Sequence, residues 1–193
     1  MEWITIKTFD DRPNLFTKRE VRVQILADLE LPKNGVIWDI GAGCGSIGLE
    51  ALRLRPALDL FCFDKRIGSK SLVLENSKRL SVKPKFIFEE DINDTLNKRN
   101  LSSFEKPNRL IIGGCDKKTK LQIIKKLATY MGNGDIIIIP IIDIQTIKEL
   151  KEELEDKNFK TNLNLIQTYK SLSIAEGIRL EPNNPVFLLK GKK

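Results

Sequence analysis

Strand-like and helix-like stretches alternate from residue 17 to the end, which predicts an α/β domain on a largely parallel sheet. Two further observations support that class. A short apolar run, Val36–Ile40, leads straight into glycines at alternate positions, Gly41, Gly43 and Gly45. Asp39, Asp64 and Asp91 close three successive strand patterns, at the end of an open sheet where ligands bind. The 193 residues suit one domain, 1–193, with 1–16 an N-terminal extension near the substrate side.

The elements follow in order. Thr17-Lys-Arg-Glu20 has the form of a capping box, and Val21, Ile25, Leu26 and Leu29 continue at helical spacing. Pro32 and Gly35 separate that helix from the strand 36–40, and a helix is expected over 46–54. Leu60–Phe63 reads as a second strand ending at Asp64, then a helix over about 68–80 leads to Lys85–Phe88 and Asp91. Arg109–Ile112 meets Gly113-Gly114 before a helix over about 117–130. Asp135–Pro140 is continuously apolar after its first residue, as in a strand buried on both faces, and a helix at 144–157 follows. The last third predicts an antiparallel hairpin of 160–169 with 185–190, joined by a long connection that carries function or motion.

Composition narrows the chemistry. No apolar run approaches the roughly 20 residues of a membrane helix, and Met1–Ile6 lacks a basic segment before an apolar one, so a cytoplasmic protein is expected. Cys44, Cys62 and Cys115 form no CxxC pair, so reduced thiols are expected, and Cys44 and Cys115 read as small side chains beside a ligand. The chain has no histidine, which removes the commonest general base and the commonest transition-metal ligand, and no metal site is expected. A net charge of +7 fits an anionic partner, a nucleic acid or a polycarboxylate, but equally a lysine-rich surface.

The glycines allow two frames. Gly43-x-Gly45-x-x-Gly48 matches the dinucleotide fingerprint, a weak signal alone. Asp39-x-Gly41-x-Gly43-x-Gly45 instead resembles the first motif of the S-adenosylmethionine-dependent methyltransferases, whose fold is a Rossmann-like, seven-stranded, mostly parallel sheet with helices on both faces and a C-terminal antiparallel hairpin. The third strand-end acid, Asp91, favours the second frame. The resemblance implies cofactor contacts from Asp39, Gly41, Ala42, Gly43, Cys44 and Gly45, ribose hydroxyls on Asp64, and the adenine near Asp91 and Ile92.

More narrowly, four segments resemble the decarboxylating precorrin-6Y and precorrin-6B C(15)-methyltransferases of cobalamin biosynthesis. They are Phe16-Thr-Lys-Arg-Glu-Val-Arg22, Val36–Ser46 with its tryptophan before the acid, Ile111-Ile-Gly-Gly114 and Asn184-Pro-Val-Phe187. Cys44 stands where Ser or Thr is usual, and Asp64 where Glu is frequent. The resemblance implies methylation of carbon 15 of precorrin-6B, with or without cobalt, and loss of carbon dioxide from a ring acetate. It also implies a homotetramer, a separate enzyme for carbon 5, and a cofactor contact from Thr17. The tetrapyrrole substrate carries many carboxylates, so basic residues should border it. Lys18, Arg19, Lys170 and Arg179 are the candidates, from the entry segment and the late connection. No single catalytic residue is singled out, because in-line positioning carries most of such a transfer. Asn184-Pro185 precedes the last strand and is given no catalytic role. The alternative is an RNA methyltransferase on the same fold, but two Trp, two Tyr and no added domain make nucleic acid a poor fit. A nicotinamide-dependent oxidoreductase and a non-catalytic binding protein are weaker still.

Overall fold

Side chains of β1 (Gly35–Ile40) alternate between two faces of a sheet, and this alternation sorts the interior into two cores. Trp38 and Ile40 enter one core, Ile37 the other. A computed structural model describes residues 6–9, 17–98, 104–175 and 177–193. The other strands are β2 (Leu58–Phe63), β3 (Phe86–Phe88), β4 (Arg109–Ile112), β5 (Ile136–Ile141), β6 (Lys160–Ile166), β7 (Tyr169–Ile174), β8 (Gly177–Pro182) and β9 (Val186–Lys192). The Ile37 face packs against α1 (Arg19–Asp28), α2 (Ser46–Leu54) and α3 (Ser69–Arg79). The Trp38 face packs against α4 (Ile92–Lys98), α5 (Lys117–Leu127) and α6 (Ile147–Asp156).

The seven-stranded sheet has the order β3-β2-β1-β4-β5-β9-β6. Strands β1 to β5 run parallel, and β9 is antiparallel to both β5 and β6. The expected fold class is therefore present, with β9 the strand that runs against the rest. Ile136 to Ile139 of β5 are fully buried, as their unbroken apolar run requires between two neighbouring strands.

Three local expectations change. The capping box does not form: Lys18 takes the N-cap position of α1 without a side-chain cap, and Glu20 is exposed. Instead the Arg22 guanidinium donates back to the Thr17 carbonyl (2.8 Å) and pairs with Glu50 of α2 (2.9 Å), so a tertiary ion pair anchors this end. A helix not foreseen, α4, starts beside Asp91, whose carboxylate accepts from the Asn93 amide. The long late connection is itself a hairpin, with β7 and β8 pairing only with each other. Of the expected N-terminal extension, 1–5 and 10–16, including Phe16, lie outside the described residues.

Strand order reverses at β1 and β4, the place where an open sheet leaves a crevice. There the two chain ends approach more closely than any side chain allows. A Cβ on Gly41, at φ +72°, would lie 2.1 Å from the Gly113 carbonyl oxygen. Gly68 has a similar φ of +86° but open space around it. Gly68→Ala should therefore cost only the left-handed penalty of about 1–2 kcal/mol, whereas Gly41→Ala adds a backbone clash and should cost well beyond that or prevent soluble folding. Urea unfolding of both variants checks this, and equal losses would contradict the close approach.

Candidate cofactor and substrate site

The loop after β1 is pinned by its own backbone and by acids from neighbouring strands. Gly41 and Ala42 both donate their amides to the Phe63 carbonyl at the end of β2 (2.8 and 3.1 Å). The Asp64 carboxylate, one residue on, accepts from the Gly43 amide at 2.7 Å. Asp39 points to the α2 face and accepts from the Gly48 amide at 3.0 Å, tying the first turn of that helix to the strand. The Cys44 carbonyl accepts from the Asn76 side chain of α3 (2.9 Å), which also exchanges hydrogen bonds with the backbone of Lys7. The loop is thus held from β2, α2 and α3 at once, a rigid rim over the helix N-terminus.

The three predicted acids take distinct positions. Asp39 lies inside β1 and is buried, Asp64 follows β2 directly, and Asp91 stands three residues beyond β3. Both oxygens of Asp64 also meet Arg66, whose Nε and Nη2 lie 3.1 Å from them. That guanidinium rests over the Phe9 ring and covers the outer side of Gly43. Asp91 has Lys65 at 3.6 Å, and Ile92 buries its side chain in the core at the start of α4. Burial pushes the Cys44 thiol up and the Cys115 thiol to about 11, so both stay protonated at neutral pH, as small neutral side chains.

Four residues at this site were not anticipated: Arg66, Asn76, Glu89 and Glu50. Glu89 accepts from the Lys70 amide and the Ser69 hydroxyl at the start of α3. Glu50 and Arg22 are both buried, and Glu50 Oε2 has no hydrogen-bond partner among the described residues. The sequence does carry a signal for this pair, because Glu50 interrupts the apolar run Ile47, Leu49, Ala51 and Leu52, and a charge there needs a partner.

Of the basic candidates, Lys18 and Lys170 come within electrostatic reach: burial and then the Lys170 charge hold the Lys18 ammonium below its ordinary range. In the β7–β8 register Lys170 pairs with Glu181 and Leu172 with Arg179, so Lys170 and Arg179 share one face of the hairpin. Arg19 is exposed at the first position of α1. Among the described residues no helix is long and apolar enough to cross a membrane.

The buried acid makes the loop sensitive to pH. Desolvation raises the Asp39 carboxyl from 3.8 to about 7, against the pull of the Gly48 amide and with the Asp64 charge adding to it. Between those values the folded chain keeps a proton that the unfolded chain has released. This group's contribution is intact below the unfolded value of 3.8 and declines as pH rises through about 7. Asparagine keeps the acceptor for Gly48 without the ionisation. In the ligand-free protein, Asp39→Asn should remove a fall in stability of about 1 kcal/mol per pH unit between pH 5 and 7. Urea midpoints of both proteins at those pH values check it, and parallel pH profiles would count against it.

Comparison with known proteins places this geometry. Residues 8–193 match the model of the precorrin methyltransferase domain. A relative from Saccharolobus solfataricus, described as a probable cobalt-precorrin-6B C(15)-methyltransferase (decarboxylating), is 28% identical, the match covering 92% of this chain and 88% of that protein. The precorrin-6y C5,15-methyltransferase structure from Geobacter metallireducens superposes with a TM-score of 0.82 at 25% identity, covering 97% of this chain and 94% of that one. The precorrin 8w decarboxylase structure from Methanobacterium thermoautotrophicum shares the fold with a TM-score of 0.82 at 23% identity, covering 97% of both chains. With the glycine loop, the strand-end acids and the inserted hairpin all inside the matched span, the chain belongs to the precorrin methyltransferase family.

Proposed function

We propose that this enzyme transfers a methyl group from S-adenosylmethionine to carbon 15 of precorrin-6B, in its cobalt or metal-free form, and releases carbon dioxide from the same substrate. The observation that carries the reading is the family match over residues 8–193, which includes the loop, all three acids and the hairpin with Lys170 and Arg179. The loop suits a cationic, ribose-bearing cofactor. At Gly43 only the Arg66 guanidinium, the end of a flexible side chain, stands where a Cβ would lie, and Asp64 places negative charge beside that amide. Asp64 holds the Gly43 amide and would exchange Arg66 for ribose hydroxyls, while Thr17, Cys44, Asp91 and Ile92 border the remainder. The bound cofactor supplies an electrophilic methyl carbon. Lys18, Lys170 and Arg179 are suited to substrate carboxylates, since Lys18 lies within electrostatic reach of Lys170 and Lys170 shares a hairpin face with Arg179. Arg19, exposed at the first position of α1, is a fourth contact. The free thiols suit a reducing compartment such as the cytoplasm.

Mass spectrometry of precorrin-6B, with and without cobalt, after incubation with enzyme and S-adenosylmethionine tests the reading. Gain of one methyl group with loss of one carbon dioxide is expected. Unchanged substrate from a protein that binds S-adenosylhomocysteine would overturn the substrate and leave a cofactor-binding fold.

The resemblance to family members also supports self-association as a tetramer, and the hairpin is the surface we assign to it. Ile178 and Leu180 of β8 are 74% and 67% exposed on a sheet of two strands that pair only with each other. Light scattering on the wild type should give a multiple of the 22.0 kDa chain mass, and the double variant Ile178→Lys, Leu180→Lys should give the monomer. A variant with unchanged mass would move the interface elsewhere.

A further inference from the structure

Loss of carbon dioxide leaves an electron pair on carbon, and a proton has to arrive there. The chain holds no histidine, so the donor must be another side chain or water. We infer that Lys120 supplies this proton, an assignment that rests on the decarboxylating reading above.

The chain leaves β4 through Gly113–Cys115, where Gly113 touches the cofactor loop at Gly41, and enters α5 at Asp116, its N-cap. A helical side chain leans toward the N-terminus of its helix. Lys120 accordingly folds back toward the crevice, and its ammonium donates to the Cys115 carbonyl at 2.7 Å. Gly114, the residue before Cys115, packs against the loop, since a Cβ there would lie 3.3 Å from the Gly41 carbonyl oxygen. The charged and titratable groups that act on Lys120 are Cys115 after β4, Asp116 at the N-cap and Asp143 in the turn after β5. That same turn leaves Ile142 and Ile144 largely exposed, an apolar ledge beside a polar donor, as expected where the face of a large conjugated ring lies.

Burial lowers the Lys120 pKa, which makes its ammonium a readier acid than a surface lysine. The step balances. The bond from carbon to the carboxylate breaks and carbon dioxide departs. The pair left on carbon takes a proton from the Lys120 ammonium to form a new C–H bond, and solvent reprotonates the amine. Lys120→Met removes the proton source. Lys120→Arg keeps a cation able to donate to the Cys115 carbonyl but holds its proton too tightly to deliver it.

The test resolves methyl gain from carbon dioxide loss by mass spectrometry, with precorrin-6B and S-adenosylmethionine supplied to wild type, Lys120→Met and Lys120→Arg. Both variants are expected to lose decarboxylation by about 100-fold or more, with methyl transfer far less affected, so that a methylated product retaining its carboxylate accumulates. If both events fall together in each variant, or if arginine restores both, Lys120 is an anchor and the assignment is overturned. A wild type that methylates without losing carbon dioxide overturns the decarboxylating reading as well, whereas a wild type that does both confines any failure to the lysine.

Discussion

The contact between Gly41 and Gly113 is the constraint on which the rest of the site depends. A carbonyl oxygen of one strand end occupies the volume that a side chain of the other would need. This lets the exits of β1 and β4 run side by side before their chains turn to opposite faces, into α2 and α5. The loop that results cannot relax toward β4, so its amides turn instead to β2, where Phe63 and Asp64 receive them. Lys120 of α5, bonded to the Cys115 carbonyl, and the acids that hold the loop, Asp39 and Asp64, are carried by the segments on either side of this contact.

The electrostatics of that crevice follow from burial. Asp39 is near half-ionised at pH 7 because it is desolvated and lies beside a second carboxylate. The cost is tolerable in the free protein because Arg66 lies against Asp64 and offsets part of the local negative charge. A cationic ligand in the loop would supply the same compensation by its own charge. It would favour the ionised form of Asp39, and it would compete with the guanidinium for Asp64. Proton release and the departure of Arg66 would then be coupled to ligand binding through one shared field.

Much of this arrangement was legible in the sequence. Glycines at alternate positions after an apolar strand, and acids at three strand ends, carry their own positions, because period-two alternation and strand ends are local properties. What was not legible depended on contacts between distant elements. Thr17 and Glu20 satisfy the capping pattern, yet the energy of a buried pair between Arg22 and Glu50 outweighs a single exposed cap, and the helix starts one residue late. Residues 170–184 carry the alternation of a hairpin, as in Lys170, Leu172 and Ile174, but without a core to bury, that pattern reads as a loop. Arg66 and Asn76 look like ordinary helix and turn residues until the fold sets Phe9 and Lys7 against them.

The net charge of +7 also resolves once positions are known. Many lysines are spent in exposed pairs of little energetic weight, among them Lys148 with Glu152 and Lys151 with Glu155 along α6. These say nothing about a partner. Lys18 differs, because burial and the Lys170 charge hold its ammonium below the ordinary range against the opposing pull of Glu20. Acids gather under the loop, while Lys18 and Lys170 approach one another where the entry segment meets the hairpin, each with an acid at hand, Glu20 and Glu181. A cationic methyl donor and a polycarboxylate acceptor would each be drawn to a different side of one crevice. Such segregation would orient the two reactants before any contact forms, and it would let a chain without histidine perform a transfer whose main requirement is alignment.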